Sequence, residues 1–206
     1  MADGPKLITG ADGATRCWWC GDDPLYVAYH DDEWGRPVDD DVRLFEKICL
    51  EGFQAGLSWI TVLRKREDFR KAFAGFDFIK VARFTEAKVD RLVTNARIIR
   101  HRGKIESTVN NANQALKVVD EFGSLAAFFW RFEPSSHSAF DGCRAMVPES
   151  TALSKELKRR GWSFVGPTTC YAFMQAMGMV NDHLIGCTSH AEAEEARSKF
   201  RAPLGK

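Results

Sequence analysis

Thr-Ala-Leu-Ser-Lys-Glu-Leu-Lys-Arg-Arg-Gly-Trp-Ser-Phe-Val-Gly-Pro-Thr-Thr-Cys-Tyr-Ala-Phe-Met-Gln-Ala-Met, residues 151–177, is the stretch whose reading decides the fold. Thr151 to Arg160 has the spacing of a helix, with Ser150 or Thr151 as its cap. Gly161 and Gly166 bound a short turn, and Pro167 suits the first position of a second helix that runs through Met177. Two helices joined in this way form a helix-hairpin-helix, in which the amides of the turn and of the second helix's first residues, Thr168 among them, point together at an anion. Lys158, Arg159 and Arg160 bring positive charge to the same end. The spacing also describes an ordinary corner between two helices, so on its own it fixes a shape and not a ligand.

Outward from that pair, the rest of the chain reads as helix. Asp39 to Asp41 offer caps for a helix carrying Val42, Leu44, Phe45, Ile48, Cys49 and Leu50, which delivers Glu51 at its end. In Leu-Glu-Gly-Phe-Gln-Ala-Gly-Leu-Ser-Trp (50–59) that one carboxylate sits in an apolar run broken by Gly52 and Gly56, with Trp59 on what reads as a new helix. A carboxylate in such a setting must be paired, hydrogen-bonded or protonated, and beside a large aromatic it can read a flat polar ligand. Facing water at a helix corner is the plainer alternative. Further helices are expected over 57–73, 76–81, 85–95 and 105–122, the last interrupted near 110–113. Residues 128–150 turn from aromatic to loop-like. No stretch alternates at period two for long, and the expected class is all-α.

Cys17 to Trp34 holds three of the six tryptophans and two of the three tyrosines, a density that builds either core or the walls of a pocket. The same segment carries Cys17, Cys20 and His30, while His183 and Cys187 lie four apart near the other end. A helical spacing of four puts the latter two on one face, where Cys17 and His30 can complete a Cys2His2 set. Spacing leaves Cys20 as a rival. With no open coordination position evident, such a metal is read as structural, tying the two ends of the domain together.

Composition narrows the class. The chain has 206 residues, 45% hydrophobic and 28% charged, enough for one well-cored domain of two helical lobes. No apolar run approaches the roughly 20 residues of a membrane span. Residues 1–15 lack the pattern of a signal peptide and read as a flexible leader, 16–188 as the domain and 189–206 as a polar tail, in a cytoplasmic protein. Cys49, Cys143 and Cys170 stand in apolar context and read as reduced core thiols. Net charge is only +1, but it is unevenly spread: Asp22 to Glu51 has ten acids against three bases, and Arg97 to Lys104 has four bases and no acid. A basic face on a neutral protein is a phosphate footprint or a solvated helix surface.

Five motifs taken together resemble the DNA-3-methyladenine glycosylase I family. They are Asp-Pro-Leu-Tyr-Val-Ala-Tyr-His-Asp-Asp-Glu-Trp-Gly (23–35), Leu-Glu-Gly-Phe-Gln-Ala-Gly-Leu-Ser-Trp (50–59), Ile-Ile-Arg-His-Arg-Gly-Lys-Ile (98–105), Phe-Val-Gly-Pro-Thr-Thr-Cys-Tyr-Ala-Phe-Met-Gln-Ala (164–176) and Val-Asn-Asp-His (180–183). The resemblance covers about residues 16–187. It implies a helix-hairpin-helix glycosylase fold with structural Zn2+ on Cys17, His30, His183 and Cys187, which decides against Cys20. It implies a base pocket of Glu51, Tyr29 and Trp59, with Trp19, Tyr26 and Trp34 as further walls and Glu51 as the catalytic carboxylate.

The implied activity is hydrolytic excision of 3-methyladenine from alkylated double-stranded DNA, with the free base as product. Gly161, Gly166, Thr168, Lys158 and Arg159 are expected on the phosphates, and Gln54, Gly56 and Leu57 in the gap left by the flipped base. Where the wider superfamily carries a catalytic aspartate, this chain reads Asn181, with Asp182 beside it. No lysine lies in the hairpin, so strand-cleaving lyase chemistry is not expected. A monomer is the default, without a membrane partner. Two other classes share these features: a lesion binder that leaves the bond intact, and a zinc hydrolase with Glu51 as general base.

Overall fold

The computed structural model describes residues 6–136, 140, 142 and 144–205. Among them a short antiparallel hairpin, β1 (Leu7–Thr9) and β2 (Thr15–Cys17), precedes α1 (Pro24–Asp32), α2 (Asp41–Gln54), α3 (Trp59–Leu63), α4 (Arg66–Ala72), α5 (Phe78–Val81), α6 (Glu86–Val93), α7 (Arg102–Phe122), α8 (Leu125–Phe129), α9 (Pro148–Arg159), α10 (Pro167–Ala176) and α11 (Thr188–Lys199). The architecture is all-α apart from that hairpin.

α2 is the axis. The Asp40 carboxylate accepts the amide of Arg43 at 2.8 Å and starts the helix. Leu44, Phe45, Ile48, Leu50 and Phe53 are then all buried, because α2 is covered by α10, α7, α8 and α3. Phenylalanines interlock on one side, with Phe53 4.5 Å from Phe69 and Phe73 5.5 Å from Phe76 between ring centres. Full burial of each such ring contributes about 1.5–3 kcal/mol. The charged residues of this buried helix are paired: Arg70 grips Glu46 through two hydrogen bonds of 2.8 Å.

Several expectations need correction. The leader is not wholly without structure, since residues 7–17 pair as a hairpin. Asp12 in its turn accepts the amide of Ala14, and Arg16 reaches back to Asp12 at 2.7 Å. The helix expected over 57–73 is two helices, α3 and α4. Around the break, consecutive basic side chains are held in different directions: Arg64 to Asp23, Lys65 to the carbonyl of Arg97, and Arg66 to Glu33. α7 runs unbroken through 110–113: Asn110 and Asn111 bond the α9–α10 turn, and Asn113 bonds back to the Val109 carbonyl without interrupting the helix. α9 starts at Pro148, three residues before the expected Thr151, with the Ser150 hydroxyl accepting the Val147 amide at 3.0 Å. The tail, which reads as a solvated helix, is helical through Lys199 but is not merely solvated: Ala193 is buried, and Phe200 packs 4.3 Å from Trp130. Cys49 and Cys170 are buried free thiols, both pushed up by burial; Cys143 lies outside the described residues.

Candidate functional site

Glu51 occupies the last turn of α2 and is only 5% exposed. Four other segments bring aromatic rings to it. α1 starts at Pro24 with Asp23 as its cap and sets Tyr26 and Tyr29 three apart, on one face. Trp34 follows α1, and Trp19 precedes it. After α2 the chain reverses through Gly56, at φ +79°, and Trp59 opens α3. Together they line a cavity of about 250 Å3, to which α10 adds Ala172 and Gln175.

The rings brace one another. Trp19 lies 4.9 Å from Trp34 and 5.1 Å from Tyr26, and Tyr29 lies 5.4 Å from Trp59 at a 45° tilt. The indole nitrogen of Trp59 is buried without a hydrogen-bond partner. Burial pushes Tyr26 up to about 12 and also raises Tyr29, and the neighbouring Glu51 carboxylate adds to both shifts. Glu51 itself is answered by a residue the sequence reading overlooked. Lys47, one turn earlier on α2, reaches Glu51 Oε1 at 2.6 Å and donates to Tyr29 Oη at 2.7 Å. Burial lowers the pKa of this ammonium, and Glu51 opposes that shift.

Cys17, His30, His183 and Cys187 meet as expected, all buried, with one donor atom of each inside 4.8 Å of the others. Cys187 Sγ is 3.6 Å from both His30 Nε2 and His183 Nδ1. Bonds of about 2.0–2.3 Å in a tetrahedron give edges near these lengths, so the donor set suits zinc. The unused ring nitrogens are occupied: His30 Nδ1 is 2.7 Å from Asp31, and His183 Nε2 is 3.0 Å from the carbonyl of Trp34. Each imidazole therefore turns its other nitrogen to the cluster. The Leu184 amide donates to Cys17 Sγ at 3.3 Å, a stabilising contact for a thiolate. Cys20 bonds backbone carbonyls instead.

The α9–α10 pair closes through residues 160–166. Gly161 adopts φ +86°, whereas Gly166 is at φ −64°; the second left-handed residue of the turn is Phe164 at φ +56°. Gly52 on α2 explains how the turn fits, since a Cβ there would stand 3.2 Å from that of Phe164. α10 begins with Pro167 and no side-chain cap, leaving the amides of its first turn open beside the exposed Thr168. Lys158 is exposed at the neighbouring end of α9. Arg159 and Arg160 lie there too, but Glu156 holds both at 2.7 Å and Glu121 holds Arg160, so only part of the expected charge is free. Lys104 is likewise diverted from the basic run at 97–104: its ammonium is buried and caps the end of α2 through the carbonyls of Phe53 and Ala55. Gln54, Gly56 and Leu57 form the turn beyond it, with Leu57 42% exposed.

Sequence reasoning also missed the struts of the hairpin. Asn111 accepts the Ser163 amide and donates to the Ser163 carbonyl, at 2.9 and 3.0 Å, and Asn110 donates to the carbonyl of Gly161 at 2.7 Å. Three asparagines within four residues of a helix were the signal available. Asn181 faces α11, donating to Glu194 and the His190 carbonyl, and lines no part of the cavity. Asp182 is fully buried and accepts from Tyr171 and from the pocket residue Gln175, at 2.6 and 2.7 Å.

Comparison with known proteins gives a consistent result. Residues 19–190 match the family model described as methyladenine glycosylase. The DNA-3-methyladenine glycosylase 1 of Escherichia coli K12 is 52% identical over 177 residues, spanning 84% of this chain and 95% of the relative. A crystal structure of a 3-methyladenine DNA glycosylase I superposes with a TM-score of 0.81 at 51% identity, over 85% of this chain and 99% of the other. A variant of such a glycosylase in complex with 3-methyladenine superposes equally well at 37% identity, over 85% of this chain and 97% of that one.

Proposed function

The chain belongs to the methyladenine glycosylase family, and we propose that it excises 3-methyladenine from alkylated double-stranded DNA by hydrolysis of the N-glycosyl bond. The observation that carries this reading is the cavity that joins the buried carboxylate of Glu51 to Trp19, Tyr26, Tyr29, Trp34 and Trp59.

An adenine methylated at N3 is a cation, and its C1′–N9 bond breaks toward a neutral leaving base. Little acid catalysis is needed. The enzyme's part is to extrude the nucleotide, hold the base and exclude competitors while water adds to C1′ and its proton passes to solvent. Trp59 and Tyr29 supply faces for the flipped base. One face of Trp59 is already taken by Lys47, 3.3 Å from the ring centre, so the base uses the other. Glu51 accepts a hydrogen bond from the exocyclic amine, and a base without a donor there leaves the carboxylate oxygen that Lys47 does not reach without a partner. Asp182 acts one step back, by holding Gln175.

The turn 160–166 and the uncapped start of α10 receive a phosphate through backbone amides, with Lys158 and Thr168 beside it. Gln54, Gly56 and Leu57 fill the gap in the duplex. The reaction stops at an abasic site and the free base: no lysine lies in the hairpin, and Lys47 is locked in its ion pair. Cys17, His30, His183 and Cys187 would hold a Zn2+ as a structural ion, and four protein donors would leave no position for a reacting water, which disfavours a zinc-hydrolase reading. The protein's substrate is DNA, which it meets as a cytoplasmic monomer; no helix among the described residues is long and apolar enough to cross a membrane.

The test is release of free base from methylated duplex DNA, resolving 3-methyladenine from 7-methylguanine by chromatography, with Glu51→Gln alongside. Selective 3-methyladenine release that falls in the variant is expected. Tight lesion-dependent binding without release would make this a recognition protein instead.

A further inference from the structure

Lys47 touches the three principal members of the pocket at once. Its buried ammonium lies 2.6 Å from Glu51 Oε1, 2.7 Å from Tyr29 Oη and 3.3 Å from the centre of the Trp59 ring. An ammonium only donates. Tyr29 Oη therefore accepts from Lys47 and keeps its own proton for another partner, while Glu51 spends Oε1 on Lys47 and keeps Oε2 as an acceptor. We propose that Lys47 is a positioning residue that fixes the hydrogen-bond polarity of the pocket, an acceptor at Glu51 next to a donor at Tyr29.

That polarity has a chemical counterpart. The edge of adenine pairs an N6 amine donor with an N7 acceptor, whereas guanine offers two acceptors, O6 and N7. A pocket locked as acceptor plus donor matches the first, and sets a carboxylate oxygen against a carbonyl in the second. The inference rests on the glycosylase reading above and assigns the origin of its base preference. Other ionisable groups around the pair are Tyr26 and Glu33 from α1 and its end, Arg66 from α4, held by Glu33 at 2.6 Å, and Arg43, Glu46 and Arg70 on the far side of Lys47, where Arg70 grips Glu46. α10 faces the cavity with Ala172 and Gln175, neither titratable, and with Asp182 behind Gln175.

The experiment measures affinity for free 3-methyladenine and 3-methylguanine by tryptophan fluorescence as a function of pH, in wild type, Lys47→Met, Glu51→Gln and the double variant, with thermal melts to check folding. In Lys47→Met the preference for 3-methyladenine should fall about tenfold. In wild type that preference should fall on the alkaline side, where the ammonium, its pKa lowered by burial, loses its proton, and this limb should be absent from Lys47→Met. Once Glu51 is Gln, removing Lys47 should add little. If the methionine variant does not fold, Lys47→Gln fills the space with an amide that both donates and accepts, and the same loss of preference is expected. A folded variant with wild-type preference and profile overturns the assignment, as does full additivity in the double variant. Should wild type neither bind the free base nor release it from DNA, the glycosylase reading fails with it; wild-type activity with an unaltered Lys47 variant sinks only this inference.

Discussion

The aromatic pocket and the Cys2His2 cluster bury polar groups by opposite routes. In the pocket the ion pair is local: Lys47 and Glu51 are four residues apart on α2, so they meet as soon as that helix forms. The cluster joins Cys17 to His183 across a separation of 166 residues, and nothing local brings them together. Yet the walls of the pocket hang on the cluster. The Trp34 carbonyl accepts from His183, and Trp19 leans on both His30, at 5.1 Å, and Trp34. The chemistry of the site is thus written within one helix, while its shape depends on a distant closure.

The largest effect should come from breaking that closure. Structural zinc contributes about 10–16 kcal/mol of apparent binding energy in zinc-finger peptides. Here, Cys187→Ser or prolonged chelation should remove at least about 4 kcal/mol of stability, a conservative share of that range. The check is a thermal melt with and without chelator, followed in parallel with affinity for free 3-methyladenine. Binding should decline with unfolding; immediate loss of activity at an unchanged melting temperature would assign the metal a direct chemical role and break the contrast.

Next in size is the pocket's own pair. Glu51→Ala leaves the Lys47 ammonium buried without its carboxylate, and removing one partner of a buried pair costs about 3–5 kcal/mol. Adding Lys47→Met to Glu51→Ala should restore most of that, because two apolar residues replace two charges. Denaturant titration of both variants measures it. Equal stabilities would mean that the pair is not coupled. Trp59→Ala should cost about 1–3 kcal/mol of base binding through lost stacking; wild-type affinity for free 3-methyladenine would remove Trp59 from the recognition surface.

The same contrast explains what was legible in the sequence. α2 could be placed because burial is written in its apolar spacing, and α10 because Gly166 and Pro167 mark its start. The metal ligands could be named, but the choice of Cys17 over Cys20 required the resemblance, since both precede the same turn. Lys47 was invisible because a lysine one turn before a glutamate usually marks a solvated surface pair. Only the packing of α10 and α1 over α2 turns it inward. The hairpin's asparagine struts were read as helix breakers for a similar reason: their partners, Gly161 and Ser163, come from 51 or more residues away. Residues 7–17 looked loose because three-residue strands are too short to alternate, and their pairing is fixed instead by the turn at Asp12 and by Arg16.

The smallest effect tests whether exposed pairs at the hairpin matter as the buried pair does. Arg159, and then Arg160, hold the Glu156 carboxylate at about 2, against an ordinary 4.5. A depressed carboxylate pKa contributes stability that is fully present above the unfolded value and is lost as pH falls through the folded one. The window is therefore from pH 4.5 down to about 2. Glu156 retains 26% exposure and Arg159 65%, so solvent screening reduces the gain to about 1 kcal/mol at neutral pH. Glu156→Gln should lose that amount at pH 7, and the gap from wild type should close toward the acid end of the range in which both remain folded. Taking the difference between the two proteins cancels acid effects elsewhere, including protonation of the metal ligands. The same substitution frees Arg159 beside the α9–α10 turn, while Glu121 still holds Arg160, so affinity for undamaged duplex should rise slightly, with a steeper salt dependence. A gap that stays constant with pH would mean that these arginines do not sense the carboxylate's charge, leaving the buried Lys47–Glu51 pair as the stronger electrostatic determinant of the two.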